Sequence, residues 1–413
     1  MEEKKWTEAE KRKFAQKRAA ELKARIEPYL KARTQIPDGF SVWDEILKRR
    51  QAICKHFNIT DNEWQDWRWQ LKQRITGTET LAALLPLSRE EAEVVDTVGK
   101  TYRWAVSPYY LSLINPHDPQ DPVKKMCIPQ AAELMDETGT EDPMAEEFTS
   151  PVPAVTRRYP DRLIIKVTNQ CAMYCRHCQR RRLIGEVDRI TPKEQLRQAL
   201  DYVRKNEEIR DVLLTGGDAL LLNDELLDWL LDELDAIPHV EIKRLGTRTL
   251  VTMPMRITDR LCKIIDRHGP IYINTQFNHP LEITPDVEEA CRKLVRTGAA
   301  LGNQAVLLAG VNNNPHVMKK LNHLLLKCMI RPYYIFHAKA VKGTAHFRTK
   351  VEEGIAIMEQ LRGYTSGLAI PTFIVNAPGG YGKIPMLPAY LVSHAPGKIM
   401  IRTWENRILP YDN

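Results

Sequence analysis

An α/β fold with a parallel sheet, open or barrel-like, is predicted by three features of the 413-residue sequence. From Arg162 onward, six apolar, strand-like runs (163–167, 211–214, 241–246, 271–276, 303–308 and 332–337) alternate with helical patterns. The helices between them carry start signals. Thr191-Pro192-Lys193-Glu194, for example, combines a cap, a proline at the first helical position and a capping-box glutamate. The loops suited to chemistry follow the strands directly, with Cys171 to Cys178 after the first and Thr215-Gly216-Gly217-Asp218 after the second. In parallel β/α folds, sites gather at those carboxyl ends.

The elements before and after this body are read from their patterns. Residues 3–34 place Trp6, Phe14, Leu22 and Ile26 at helical intervals in a Glu-, Lys-, Arg- and Ala-rich background, predicting an amphipathic helix. Ser41 with Asp44 predicts a capped helix through Lys55, and Ser88 with Glu91 another. Trp43, Trp64, Trp67 and Trp69 fall at helical spacing, which suits packing more than base stacking. The implied organisation is a helical region (1–110), an irregular, proline-rich and acidic connection wrapping onto the next domain (111–155), the strand–helix body (156–383) and a C-terminal segment (384–413). Within the body, 370–375 is one more extended run, leading into Asn376-Ala-Pro-Gly-Gly-Tyr-Gly-Lys383. The tail alternates around Pro396-Gly397 and predicts a hairpin, expected to serve in oligomerisation.

Composition excludes several classes. A hydrophobic fraction of 43% with 27% charged residues reads as soluble and globular, and no apolar run of eighteen residues suggests a membrane span. The charged start, Met1 to Trp6, lacks the apolar segment of a signal peptide, and eight scattered cysteines fit a reducing compartment, so a cytoplasmic location is expected. The balance of 60 Lys+Arg against 53 Asp+Glu suits anionic ligands, with part of the excess in Arg180-Arg181-Arg182. No nucleic-acid motif accompanies it.

The strongest signal is Cys171-Ala-Met-Tyr-Cys175-Arg-His-Cys178, three thiols spaced C-x3-C-x2-C. Thiolates suit iron–sulfur clusters and zinc. Three ligands leave one metal corner open to a substrate or cofactor, whereas a structural site is normally closed by four. Gly216 and Gly217 let backbone approach closely, and Asp218 can accept from an ammonium. Lys383, on a Gly-Gly-x-Gly loop, has room to reach a ligand aldehyde, and the loop alone equally admits an ordinary surface lysine.

The cysteine motif after the first strand resembles the radical S-adenosylmethionine superfamily. That resemblance implies a partial (β/α)6 barrel, a [4Fe–4S] cluster on Cys171, Cys175 and Cys178, and S-adenosylmethionine at the open iron. Arg157 to Arg162, Cys175 to Arg182, Asn274 to Pro280, Gly302 to Leu308 and the Pro378–Lys383 loop further resemble the lysine 2,3-aminomutase family, across nearly the whole chain. The family's pyridoxal 5′-phosphate then implies a Schiff base on Lys383, with its phosphate on Arg158, Tyr159 and Arg162. His177, Gly216, Gly217, Asp218 and Gln304 match positions around S-adenosylmethionine, and Arg180 matches the arginine that holds the substrate α-carboxylate. The resemblance also implies a flavodoxin- or ferredoxin-type electron donor, a homo-oligomer, and no nucleic-acid or membrane partner.

Departures from the family point to the substrate. Lysine-specific members hold the distal ammonium with two aspartates; here those positions are Lys339 and Asn376. Unit charges about 4 Å apart interact by roughly 4 kcal/mol at an effective dielectric near 20, so Lys339 disfavours lysine and favours a distal carboxylate. The combination resembles the glutamate 2,3-aminomutase branch, which exchanges an amino group and a hydrogen between C2 and C3 of L-glutamate through a 5′-deoxyadenosyl radical, giving β-glutamate (3-aminoglutarate). Gln276, Phe336 and Tyr381 also depart from the pattern. Asn314 stands where relatives carry a zinc-binding cysteine, so no zinc is expected. An aminomutase acting on lysine, another amino acid or a protein lysine remains an alternative. So does a basic iron–sulfur protein that binds nucleic acid through its tryptophan-rich region.

Overall fold

The computed structural model describes residues 6–412. Nine strands form one sheet in sequence order: Val155–Arg157 (β1), Arg162–Thr168 (β2), Asp211–Gly216 (β3), Ile242–Gly246 (β4), Ile271–Thr275 (β5), Ala300–Leu307 (β6), Arg331–His337 (β7), Thr372–Asn376 (β8) and Lys383–Pro385 (β9). β2 to β8 pair in parallel, and β1 and β9 flank them antiparallel. The six expected strands are therefore present as β2 to β7. The extended run at 370–375 is a seventh parallel strand, and the short β1 went unforeseen.

Burial alternates along the strands. In β2, Leu163, Ile165 and Val167 are buried while Ile164 and Lys166 are partly exposed. The buried set packs under helices whose apolar residues recur at i, i+3, i+4 and i+7. These include Leu196, Ala199, Leu200 and Val203 in Lys193–Arg204, and Leu227, Leu230, Leu231 and Leu234 in Asp224–Asp235. The main core thus lies between helices and sheet, which leaves the other face free to line a cavity. Ile164, Leu213, Arg244, Asn274, Gln304, Phe336 and Asn376, one from each of β2 to β8, all line the same cavity. A flat sheet could not bring seven strands to one space, so this sheet curls into a partial barrel.

Two helix starts differ from expectation because their cap residues take other partners. The helix after Ser41 is Trp43–Phe57, with no side-chain cap. Ser41 instead exchanges hydrogen bonds with Asp38 in the preceding turn. Likewise, Thr191 donates its hydroxyl to the Lys166 carbonyl (2.8 Å), and the helix begins at Lys193 without a side-chain cap. The Ser88–Glu91 capping box forms as predicted. Of the expected 3–34 helix, Glu8–Gln35 is seen and residues 3–5 lie outside the described residues. Its apolar stripe is not buried, for Phe14 is 58% and Leu22 41% exposed. The helix is held at Tyr29, which is buried, and by Arg18 and Arg25 on Glu405.

Trp64 and Trp67 are buried, and Trp43 and Trp69 pack against the core, so these rings do not form a stacking platform. The tail forms three antiparallel strands where two were expected: Leu391–Ala395, Lys398–Arg402 and Ile408–Asp412. Among the described residues, no helix is long and apolar enough to cross a membrane.

The arginine run after the cysteines is not a solvated surface. Arg180 pairs with Glu146 (2.8 Å), Arg181 with Glu133, and Arg182 with Asp142 (2.8 Å), all from the acidic connection. Glu133 also takes a fork from Arg176 (2.6 and 3.0 Å), between Cys175 and His177, and both partners are about 1% exposed. Burial raises the Glu133 carboxyl, but Arg176 and Arg181 outweigh it and hold it below its usual range. Replacing Glu133 with Ala strands two buried guanidinium groups, so unfolding free energy is expected to fall by about 3–5 kcal/mol. Urea denaturation checks this, and a loss below about 1 kcal/mol, the worth of a surface pair, would contradict it.

Candidate functional site

The cavity inside the curled sheet encloses about 1870 Å³, its open mouth included. All fifteen positions singled out in the sequence line it. The reason is topological, since each lies on a strand of one curled sheet, on a loop past a strand's carboxyl end or, for Arg158 and Tyr159, on the turn that joins β1 to β2.

The cysteine loop follows β2 and is braced from both sides. The Arg176 N–H donates to the Met126 carbonyl (2.9 Å), and Tyr174 N–H to Ala105 (3.0 Å). The glycine turn after β3 packs against its first residues. A Cβ at Gly217 would lie 2.3 Å from the Gln170 carbonyl oxygen, a contact no side chain permits. Among the described residues, the only group of three or more ligand-type side chains with ligand atoms within 4.8 Å of one another is Asp228, Asp232 and His268, elsewhere on the molecule. The three cysteine sulfurs are therefore spread wider than one ion would draw them, which fits a cluster offering each thiolate its own iron. Burial pushes the Cys178 thiol up to about 11, and burial with Asp218 raises Cys171. A bound metal would hold these sulfurs as thiolates.

Asp218 is buried and largely committed. Oδ1 accepts from the Thr247 hydroxyl (2.6 Å) and Leu220 N–H (3.1 Å), and Oδ2 from Arg248 N–H (2.6 Å). A carboxylate has about four acceptor sites, so Oδ2 retains room for one further donor. Burial, with Arg248 and Arg181 nearby, depresses His177 well below the usual imidazole range, and its Nδ1 is buried without a partner among the described residues. Gln304 stands on β6, facing the same space.

Across the cavity, β8 and β9 pair Asn376 with Lys383. The loop between them lies against Tyr159: Gly382 has φ +104°, and a Cβ there would meet the Tyr159 hydroxyl at 3.4 Å. The Arg162 guanidinium stacks 3.8 Å from the Tyr159 ring centroid. Arg158 donates to the Met144 carbonyl (3.0 Å), while its Nε is buried and unpaired, as is Asn376 Nδ2. Buried polar atoms without partners are costly, and these face the cavity, where an anionic ligand would satisfy them. The Lys383 ammonium sits 4.9 Å from the Tyr334 ring and 5.4 Å from Phe336, with no ion pair among the described residues. Burial, then Arg244 and Arg162, lower it to about 8.

Lys339 lies on the loop after β7, 5.3 Å from the Phe336 ring, also without a hydrogen bond or ion pair among the described residues. Burial, then Arg180, Lys383 and Arg158, lower it to about 7. Seven Arg and Lys side chains line the cavity against one carboxylate, Asp218. The Arg180 fork is occupied on one edge by Glu146 (2.8, 3.0 and 3.1 Å), leaving its Nη1 donors for a ligand.

Two residues here were not read from sequence. Arg248 donates to the Cys175 sulfur (2.8 Å) and to Glu282 (2.7 Å) from a buried position after β4. Its place just past a strand end was the available signal. Glu146 pairs with Arg180 and approaches Arg158 (3.6 Å). The acidic run facing the arginine triplet in charge could have suggested it. Asn314 caps the helix Pro315–Lys327, accepting from His316 N–H (2.8 Å).

Comparison with known proteins is consistent with this geometry. A model described as the Radical SAM superfamily matches residues 165–307, and one described as Lysine-2,3-aminomutase matches residues 358–413. The chain is 55% identical to a glutamate 2,3-aminomutase of Clostridioides difficile, over 98% of this chain and 96% of the relative. It is 48% identical to an L-lysine 2,3-aminomutase of Clostridium subterminale (89% and 88%) and 47% identical to one of Fusobacterium nucleatum (86% and 84%).

The depressed Lys383 amine gives a direct test. Above pH 8 it is mostly neutral and nucleophilic, whereas an ordinary lysine, near 10.4, is not. The rate at which pyridoxal 5′-phosphate forms a borohydride-trappable link to Lys383 is expected to rise from pH 7 to 9 and then level off, as followed by peptide mass spectrometry. A rate still climbing tenfold per unit above pH 9 would contradict it.

Proposed function

Because the chain belongs to the lysine 2,3-aminomutase family of the radical S-adenosylmethionine superfamily, we propose that it interconverts L-glutamate and β-glutamate. The observation that carries the substrate is Lys339, which lines the cavity with no ion pair among the described residues, while the five lining arginines already hold carboxylates of the chain. Such a site suits a phosphate dianion and both carboxylates of glutamate, and it repels the distal ammonium of lysine.

The chain's own groups divide the work. Cys171, Cys175 and Cys178 hold the cluster, and the Gly216–Gly217 backbone, Asp218, His177 and Gln304 hold S-adenosylmethionine. Arg158, Tyr159 and Arg162 take the phosphate of pyridoxal phosphate, and Lys383 its aldehyde carbon. When bound, these groups supply a hydrogen-abstracting 5′-deoxyadenosyl radical and activation of the migrating nitrogen. Arg180 grips the α-carboxylate, while Lys339 and Asn376 grip the distal one, so that C3 is presented in one orientation. The neutral His177 brings no further positive charge beside the cluster. Walls drawn from seven strands limit water. A flavodoxin- or ferredoxin-type protein supplies the electron. Free thiols throughout the chain support a cytoplasmic setting. Exposed Phe14, Leu391, Ile408 and Tyr411 support self-association.

Under anaerobic conditions, with the cluster reconstituted and S-adenosylmethionine, pyridoxal phosphate and dithionite added, L-glutamate is expected to give β-glutamate by NMR, and L-lysine no product. β-Lysine instead would keep the family and overturn the substrate. Lys339→Met is expected to raise KM for glutamate roughly 30-fold or more, equivalent to about 2 kcal/mol, because a desolvated charge loses its partner.

A pH dependence follows from the same residue. Lys339 binds a carboxylate only when protonated and loses its proton as pH rises through about 7, although bound glutamate pulls that value upward. KM for glutamate is therefore expected to rise from pH 7 to 9. Lys339→Arg, charged throughout, removes that component, so an unchanged pH profile in this variant would contradict the assignment.

A further inference from the structure

A second cavity lies on the other side of the cysteine loop. Cys171, Cys175 and Cys178 line both it and the ligand cavity, as do Met173, Gly216 and Gly217, so the loop is the partition between the two spaces. The charged side chains of the second cavity are Lys166, Arg180 and Arg189, and no Asp or Glu lines it. Arg180 is already neutralised by Glu146, whereas Arg189 is exposed and has no side-chain partner among the described residues. Thr191, Pro192 and Gln195 place the start of the helix Lys193–Arg204 at the same rim. That start has no side-chain cap, and the acidic Glu194 of its first turn offsets the positive dipole end, so the field of the cavity rests on Lys166 and Arg189. The rim is completed by two exposed apolar side chains, Leu183 (37%) and Ile190 (45%).

We propose that this outer cavity is the docking point of an acidic, single-electron carrier protein, which reduces the cluster through the cysteine loop without opening the ligand cavity. The proposal rests on the reading of Cys171, Cys175 and Cys178 as cluster ligands. In the step, the carrier's reduced flavin or iron–sulfur centre gives up one electron and the cluster gains it, with no bond made or broken. Redox encounters of this kind are small, transient interfaces in which opposite charge governs the on-rate and a little apolar surface sets the register. A basic lining without a carboxylate, flanked by two apolar side chains, fits such a partner. The arrangement also has a functional logic, because electrons enter from one side while substrate and S-adenosylmethionine occupy the other.

Arg189→Glu tests this in the cluster-reconstituted full chain. The backbone contacts of Arg189, to the Asn169 side chain (2.7 Å) and the Thr168 hydroxyl (2.9 Å), survive the change. With an acidic flavodoxin as probe, fluorescence titration at low salt is expected to show Kd weakened about ten-fold. Bleaching of the cluster's visible absorbance by flavodoxin hydroquinone should slow about ten-fold, while bleaching by dithionite changes less than about two-fold. The wild-type advantage should shrink as ionic strength rises past about 0.15 M, where the Debye length is about 8 Å. Ile190→Asp, which alters the apolar rim, should give the same split between reductants. An unchanged flavodoxin Kd in Arg189→Glu, or equal slowing with both reductants, would overturn the docking site. Wild-type protein that dithionite cannot bleach at all would overturn the cluster reading itself, and the docking proposal with it.

Discussion

Three consecutive arginines, each holding a carboxylate of the same upstream segment, are the contact on which the site depends. Arg180, Arg181 and Arg182 follow the cysteine loop, and Glu146, Glu133 and Asp142 come from the connection before the sheet. Without those pairs, a loop carrying three thiols and four arginines would repel itself and could not remain buried. With them, the loop is fixed against the sheet, and Arg176 is drawn into the interior between Cys175 and His177. Position and charge are settled together.

The same accounting underlies the proposed preference for anionic ligands. Carboxylates of the chain neutralise the arginines behind the cysteine loop, yet almost none reach the cavity wall. Of the seven cations facing the ligands, Arg158, Arg162, Arg180, Arg244 and Arg248 each hold a carboxylate of the chain, whereas Lys339 and Lys383 have no ion pair among the described residues and are pushed toward neutrality. Such a surface is costly when empty and favourable when filled by anions. A phosphate and two carboxylates restore balance; a second ammonium would worsen it. Lys339 and Asn376, at the two positions where the family resemblance implies aspartates in lysine-specific members, are in the proposed reading one change of sign at the far end of the substrate.

What could be read from the sequence was local. The parallel strands announced themselves by alternation, and the cysteines, glycine turn and Lys383 loop by their spacing and their places after strands. Contacts between distant segments were not legible: Glu133 on Arg176, Glu146 on Arg180 and Arg248 on Cys175 join residues 43, 34 and 73 positions apart. Competition also hid some local features. Ser41 and Thr191 look like helix caps, but Asp38 and the Lys166 carbonyl claim their hydroxyls first. The stripe of Phe14 and Leu22 has helical spacing, yet it stays exposed because the helix is held at other points, by Tyr29, by Lys320 on the Arg33 carbonyl and by the pairs to Glu405.

The central claim is that Lys339 reads the far carboxylate of the substrate. A crystal structure with pyridoxal phosphate, S-adenosylmethionine and L-glutamate bound tests it most directly. The account predicts a distal carboxylate oxygen about 2.7–2.9 Å from Lys339 Nζ, with the α-carboxylate on Arg180. Lys339 turned to solvent, with the distal carboxylate held by another group, would contradict it.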